Sequence, residues 1–362
     1  MSGRLEAEHG IVCRLGNDRF GYFGWPTVAR MDDGTLVVAC SGMRSAHVCP
    51  WGRTVILFSR DDGKTWTPPR VINDGPIDDR DVGVLCLGGR KLLVSWFTID
   101  SRPFLSDSMS PDLRASWEPT ISAWTDEVLK KWLGSWIMLS DDGGITWSAP
   151  LRAPVSSPHG PIRLRGGELL YLGKDCTELA VGPILAARSA DGGRTWSVVS
   201  EVPLIPGTNR KSYHEPHVVE LPSGKLVGAI RLQNYGPDAD VTKLGLIDFS
   251  IVQTDSADGG RTWSMPTPLF YGSPPHLLRH SSGALVMCYG YRRPPCGQRA
   301  AFSRDDGASW DHDWIIRDDG PNGDLGYPST LEMGDGSLFT ACYQAVPGDA
   351  KCSLLWSRWR LP

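Results

Sequence analysis

The chain has 362 residues, with 37 Lys and Arg against 41 Asp and Glu, for a formal net charge of -4. That balance, with no basic run interleaved with aromatics, excludes the electrostatic footprint of a nucleic-acid or anionic-membrane partner, and no apolar stretch approaches the length of a membrane span. The 41 Gly, 28 Pro and 15 Trp describe many turns and many large aromatics with few long helical patterns, which predicts an all-β fold. Nine cysteines stand at no paired spacing, without CxxC or HExxH. They fit a reduced compartment, and the start MSGRLEAEHG lacks the layout of a secretory signal, so a cytoplasmic location is expected. Nothing calls for a metal or a cofactor.

In chain order, the first apolar run is GIVCRL (10–15), which has no partner near it in sequence. WPTVARMDDGTLVVAC then reads as a β-hairpin, two apolar runs about a turn that ends at Gly34. Five further hairpins follow: VGVLCLGGRKLLVSW, GPIRLRGGELLYLG, EPHVVELPSGKLVGAIR, PHLLRHSSGALVMCYGYR and PSTLEMGDGSLFTACYQ. Their turn glycines are Gly89, Gly167, Gly224, Gly283 and Gly336, at steps of 55, 78, 57, 59 and 53 residues. A second repeat interleaves with them: SRDDGKTW at 59–66, SDDGGITW at 140–147, SADGGRTW at 189–196 and, letter for letter, at 256–263, and SRDDGASW at 303–310. All five fit S-x-D-x-G-x-[TS]-W. Each follows an apolar strand-like run and offers turn residues, then a tryptophan to bury at the start of the next strand. The one long step contains an insertion, 97–135, in which TDEVLKKWL predicts a helix capped by Thr125. The sixth unit lacks the motif and ends in LLWSRWRLP, and GIVCRL can supply its outer strand. The prediction is therefore one domain over 1–362, a six-bladed β-propeller closed by its own N-terminal strand, with a short helical insertion in blade 2.

In a propeller, substrates bind at a mouth of the central channel. The turn glycines provide a common register along the innermost strands. Nine residues before each stand Trp25, Arg80, Pro158, Glu215, Pro274 and Tyr327; two residues on, facing the same side, stand Thr27, Val82, Gly160, His217, His276 and Ser329. Blade ends add Arg44, Arg231, Tyr291, Arg292, Arg293 and Gln344.

The S-x-D-x-G-x-T-W motif is the Asp-box, and five copies interleaved with six hairpins resemble the six-bladed sialidase (neuraminidase) superfamily over essentially the whole chain. The resemblance implies that the Asp-boxes are architectural and lie on the rim away from the active site. It implies catalytic residues elsewhere. GYPSTLEMGDG resembles the segment with the nucleophilic tyrosine, giving Tyr327, an exception to the usual carboxylate pair of glycosidases. HEPHVVELPSGKLVGAIR resembles the segment with the activating glutamate and one arginine of a substrate-carboxylate triad, giving Glu215 and Arg231. GYRRPP gives another triad arginine, Arg293, with Arg292 as the alternative. The intervals between these four, 16, 62 and 34 residues, are close to the family's. Two departures stand out. FGWP has Gly24 where the first triad arginine belongs, and the loop SGMRSAHVCPWGR lacks the acid/base aspartate that the family carries there. His47 is that loop's only side chain that titrates near neutrality, Arg44 or Arg80 is available in place of the lost arginine, and DDRD offers Asp79, slightly favoured as acid, and Asp81.

A terminal acidic sugar needs its carboxylate held by guanidinium groups. A phenol, with its pKa near 10, needs an adjacent base, and the leaving oxygen needs a proton donor. The residues above supply each part, with His159, His217 and His276 as further polar contacts and Trp25, Trp96 and the insertion as walls or a lid. The implied activity is an exo-acting, retaining glycoside hydrolase for sialic acid or a related nonulosonic or uronic acid, acting on a glycan or glycoconjugate. A polysaccharide lyase on a uronic-acid glycan and a non-catalytic glycan-binding propeller are the rivals. Glu215 with Arg231 also fits a structural ion pair, and DDRD a solvated turn.

Overall fold

The computed structural model describes residues 3–105, 109–175 and 181–362. Its strands form six four-stranded antiparallel sheets. In blades 1 to 5 the four strands follow one another outward in chain order. The innermost strands are Tyr22–Arg30, Asp78–Gly88, Ile162–Arg163, Tyr213–Glu220 and Pro275–Arg279. In blade 6 the order is Leu325–Glu332, Leu338–Ala345, Cys352–Trp359 and then, outermost, Ala7–Cys13. The first strand of the chain thus closes the last sheet, pairing Ala7 with Trp359 through Cys13 with Leu354. Two buried seams illustrate the packing between neighbouring sheets: Val28, Leu36, Val38, Phe339 and Tyr343 between blades 1 and 6, and Leu170, Leu172, Leu226 and Ile230 between blades 3 and 4.

Polar bonds complete the ring at each of the six seams. Ser41 Oγ donates to the Asp79 carbonyl (2.7 Å), Tyr171 Oη to Ser95 Oγ (3.2 Å) and Ser157 Oγ to the Pro216 carbonyl. The amides of Leu277, Thr330 and Val28 donate to His217 Nδ1 (2.9 Å), His276 Nδ1 (3.3 Å) and Ser329 Oγ (3.1 Å).

The hairpin turns explain a correction to the register. In blade 1 the Met31 amide bonds to the Thr35 carbonyl and the Gly34 amide to the Met31 carbonyl, with Gly34 left-handed at φ +86°. Blades 3 to 6 repeat this turn. In blade 2 Gly88 already pairs with Lys91, so the turn is shorter. Strand pairing sets Gly83 opposite Ser95, as Thr27 is opposite Ala39 and His217 opposite Ala229. Asp81, not Arg80, is therefore the counterpart of Trp25, Glu215 and Tyr327.

Those four residues share a second feature. Each opens a two-residue bulge on its innermost strand, where the pairing skips from Gly24 to Thr27, Arg80 to Gly83, His214 to His217 and Gly326 to Ser329. All four have positive φ: Trp25 +54°, Asp81 +43°, Glu215 +50° and Tyr327 +50°. In three the next residue is proline, which has no amide to give the ladder and so belongs at a bulge. Bulges re-aim side chains, and strained non-glycine backbone concentrates at functional sites.

The described part of the insertion holds two α-helices, α1 (Pro111–Ile121) and α2 (Asp126–Trp132), after a short 3-10 turn at Arg102–Phe104. Thr125 caps α2, its Oγ1 accepting from the Val128 amide, as its sequence predicts. The helix α1, capped by Ser110 and containing Pro119, was not foreseen. No helix among the described residues is long and apolar enough to cross a membrane. The eight described cysteines are unpaired, and Cys176 lies outside the described residues.

Candidate active site

Strand direction separates the two ends of the channel. The turn glycines and all five Asp-boxes lie at one end, and the starts of the innermost strands with the ends of the second strands at the other. At that second end a pocket of about 500 Å³ is lined by His47, Arg231, Phe249, Arg292, Gly323, Asp324, Tyr327 and Tyr343.

Tyr327, Glu215 and Arg231 meet on its wall. The Tyr327 hydroxyl donates to Glu215 Oε1, while Arg231 Nη1 lies 2.6 Å from Glu215 Oε2 and 3.3 Å from Tyr327 Oη. Burial holds the Tyr327 phenol well above its ordinary pKa, and the charges of Glu215 and Asp81 push it further up against the pull of Arg231. The phenol therefore rests protonated, its proton already directed at a carboxylate.

The two candidate arginines of GYRRPP separate. Arg292 lines the pocket and donates to Ser273 Oγ (3.2 Å), with its guanidinium carbon 6.0 Å from the Tyr327 ring. Arg293 is exposed and stacks on Tyr271 at 3.8 Å. The first-named residue, Arg293, is thus the one the structure leaves outside; neighbours at a strand end face opposite ways.

Arg44 and DDRD are used largely from within. Arg44 is wholly buried and forks onto Asp78 (Nη1–Oδ1 2.6 Å, Nη2–Oδ2 2.9 Å), while also donating to Ser41 Oγ and the Asp79 and His47 carbonyls. It does not reach the pocket. Asp79 Oδ2 accepts from Thr54 Oγ1 (3.0 Å) and Asn73 Nδ2 (2.7 Å) inside the blade, and burial raises its pKa to about 8. The structure does not bring it to the pocket either. Arg80 stacks on Trp25 at 4.1 Å and donates to the His47 carbonyl (3.0 Å). Trp25, 1% exposed, backs the site, with ring centroids 5.1 Å from His47 and 6.3 Å from Tyr327. Asp81 sits in the field of Glu215 and Tyr327, and burial raises its pKa; one carboxyl oxygen, Oδ1, is enclosed without a hydrogen-bond partner.

The histidines go elsewhere. His159, His217 and His276 pack ring to ring in the channel at 4.3 to 5.5 Å and line a cavity of about 370 Å³ toward the Asp-box end. Burial lowers all three pKa values, that of His217 to about 3. His217 and His276 tie blades together, as described above. Trp96 is buried in the core between blades 1 and 2. The described part of the insertion lies beside the site and not among the pocket-lining residues: Trp117, Ile121, Trp124 and Leu129 pack on Cys49 and Ile77, and Trp51 Nε1 donates to Thr120 Oγ1 (3.0 Å), which buttresses the loop that carries His47.

That loop brings His47 to a group absent from the sequence reading. His47 Nδ1 lies 2.8 Å from Asp324 Oδ1, and Asp324 also accepts from the hydroxyls of Tyr22 (3.0 Å) and Tyr343 (3.2 Å). Burial raises the Asp324 pKa, but His47 and Tyr22 outweigh it and the net shift is downward. Asp324, Tyr22, Tyr343 and Phe249 fell outside the count from the turn glycines. Asp324 lies three residues before Tyr327, within GDLGYP, a spacing that could have raised it.

Six four-stranded blades about one channel give the chain the fold of the sialidase-like propellers. The chain belongs to the BNR repeat-like domain family, whose model matches residues 120–340. Among solved structures it is similar to a protein of unknown function from Dyadobacter fermentans (23% identity, 98% of each chain, TM-score 0.75). It is also similar to the intramolecular trans-sialidase from Ruminococcus gnavus (16%, 97% of this chain and 99% of that one, 0.64) and to an α-L-arabinofuranosidase from Fusarium graminearum (16%, 99% of each, 0.60). At these identities the likeness is one of fold. No curated protein matches the sequence.

Proposed function

We propose that this protein is an exo-acting glycoside hydrolase that removes a terminal acidic sugar from a glycan by a retaining mechanism, with Tyr327 as nucleophile. The observation that carries this reading is the hydrogen-bonded set Tyr327–Glu215–Arg231 on the wall of a pocket that also presents Arg292. Glu215 takes the phenolic proton as Tyr327 attacks the anomeric carbon. A protonated phenol brings no net negative charge toward a carbon that bears a carboxylate, and Arg231 and Arg292 hold that carboxylate. The sialidase and arabinofuranosidase neighbours support a glycosidic substrate.

Screening 4-nitrophenyl glycosides of N-acetylneuraminic acid and of uronic acids, with products identified by mass, tests the reading. Glu215→Gln, which keeps a partner for Arg231, should lower kcat about 10²–10⁴-fold, the usual worth of a general base. Tyr327→Phe should remove turnover with little change in Tm. Full activity in Tyr327→Phe sinks the assignment, and an ultraviolet-absorbing unsaturated uronate as product would make the protein a lyase instead.

A further inference from the structure

We infer that the His47 imidazole, oriented by Asp324, is the group that hands a proton to the leaving oxygen and then takes one from water, an inference that rests on the tyrosine-linked hydrolysis above. Three titratable groups compete for the task. Asp79 is committed to Thr54 and Asn73 inside the blade. Asp81 is 4% exposed, with Oδ1 enclosed, and is not among the residues that line the pocket. The His47 side chain is 47% exposed and lines the pocket with Tyr327, so it alone of the three stands where an aglycone leaves toward solvent.

The contacts also fix its chemistry. An ionised carboxylate only accepts hydrogen bonds, so the 2.8 Å contact to Asp324 places a proton on Nδ1. Tyr22 and Tyr343 donate to the same carboxylate and hold it in place. Nε2 makes no hydrogen bond to any described residue and is left as the exchanging atom. This is the logic by which a buried aspartate sets the tautomer of a catalytic histidine. The charged and titratable groups around His47 are Asp324, Tyr22, Arg80 and Arg44, both arginines donating to its carbonyl, with Arg231, Arg292, Tyr327 and Tyr343 lining the same pocket. Burial, Arg80 and Arg44 lower its pKa, and Asp324 raises it; the net is below 6.5.

The steps balance. In the first, Tyr327 Oη bonds to the anomeric carbon and gives its proton to Glu215, while the bond to the leaving oxygen breaks and that oxygen takes the Nε2 proton of imidazolium. In the second, water attacks the same carbon and gives a proton to neutral Nε2, and the departing phenolate regains its proton from Glu215. The sum is glycoside plus water to sugar plus alcohol, with both groups restored.

The test compares 4-nitrophenyl with methyl glycosides of N-acetylneuraminic acid and D-glucuronic acid, in the parent protein and in variants. A nitrophenolate leaves without a proton; a methoxide does not. His47→Ala should lose about 10²–10⁴-fold in kcat/KM on the methyl glycoside and far less on the nitrophenyl one, whose kcat falls only because deglycosylation lacks its base, and azide should restore that turnover as glycosyl azide. Asp324→Asn should move the basic limb of kcat/KM to lower pH, in step with the His47 titration followed by NMR. Equal losses of kcat/KM on both leaving groups in His47→Ala overturn the inference, as does a leaving-group-dependent loss of kcat/KM in Asp81→Asn or Asp79→Asn instead. Tyr327→Phe at parent activity overturns the underlying reading separately, and a parent protein inert on all four glycosides removes both.

Discussion

Arg44 and Arg292 are the same residue type put to opposite uses, and the difference is one of solvent and partner. Arg44 is 0% exposed and forked onto Asp78. A buried pair adds little net stability, but removal of one member strands the other. Arg44→Met should therefore destabilise by about 3–5 kcal/mol, seen as a large fall in Tm or in the urea midpoint. Arg292 is only partly buried and can turn its guanidinium to a ligand. Arg292→Met should leave Tm nearly unchanged and raise KM for an acidic glycoside by about 10–100-fold, the worth of one charged hydrogen bond. A KM effect in the first variant and a Tm effect in the second would reverse the two roles. Both arginines carry the same sequence signal, a basic residue at a blade end. Nothing in the sequence reveals that Asp78 waits behind Arg44, because the two are 34 residues apart and meet only across a seam. Asp324 was missed for the same reason: its partner His47 is 277 residues away, across the seam at which the ring closes. Glu215 and Tyr327 were legible because both occupy the same position in a repeated hairpin. Asp81 was misplaced by one because a single turn is shorter.

At the scale of one element, the Asp-box shows what repetition preserves. In each copy the serine hydroxyl donates to the aspartate at 2.8 Å and accepts from the glycine amide at 2.8 or 2.9 Å. The same aspartate accepts from the backbone amide and hydroxyl of the following Thr or Ser. The tryptophans are mostly half-buried ahead of the outer strand, a looser anchor than the pattern predicts. Those bonds hold the aspartates below the ordinary carboxylate range, at about 2 for Asp61, Asp142, Asp191 and Asp305, with Asp258 also lowered. A carboxyl whose pKa is lower folded than unfolded contributes stability that is complete above the unfolded value, near 4, and is lost as pH falls through the folded one. Calorimetry should show Tm falling between about pH 4 and pH 2. Asp258→Asn should be less stable at pH 7 and lose a share of that slope, with activity unchanged at neutral pH because the motif lies at the other end of the channel. An unaltered slope would mean the acid sensitivity lies in other groups.

Over the whole molecule, the site and the ring closure are one structural problem. Blade 1 supplies Tyr22, Trp25 and His47; blade 6 supplies Asp324, Tyr327 and Tyr343; blades 4 and 5 supply Glu215, Arg231 and Arg292. The contact between His47 and Asp324 thus crosses the seam between the first and last blades. Two devices hold that seam: the core of Val28, Val38, Phe339 and Tyr343, and the N-terminal strand that binds blade 1 covalently to the edge of blade 6. Arg14 adds an ion pair to Asp349 at the same place. Deletion of residues 1–14 exposes the edge of Cys352–Trp359, and a bare edge favours pairing with other chains. The truncated protein should show a lower urea midpoint, a concentration-dependent tendency to associate, and a loss of glycosidase activity at denaturant concentrations that leave most β-sheet circular dichroism in place. A synthetic peptide of residues 4–15 added in trans should restore activity and suppress association together, because one strand supports both. Activity that follows global unfolding in the truncated protein, with no gain from the peptide, would show that the blade cores alone hold His47 against Asp324.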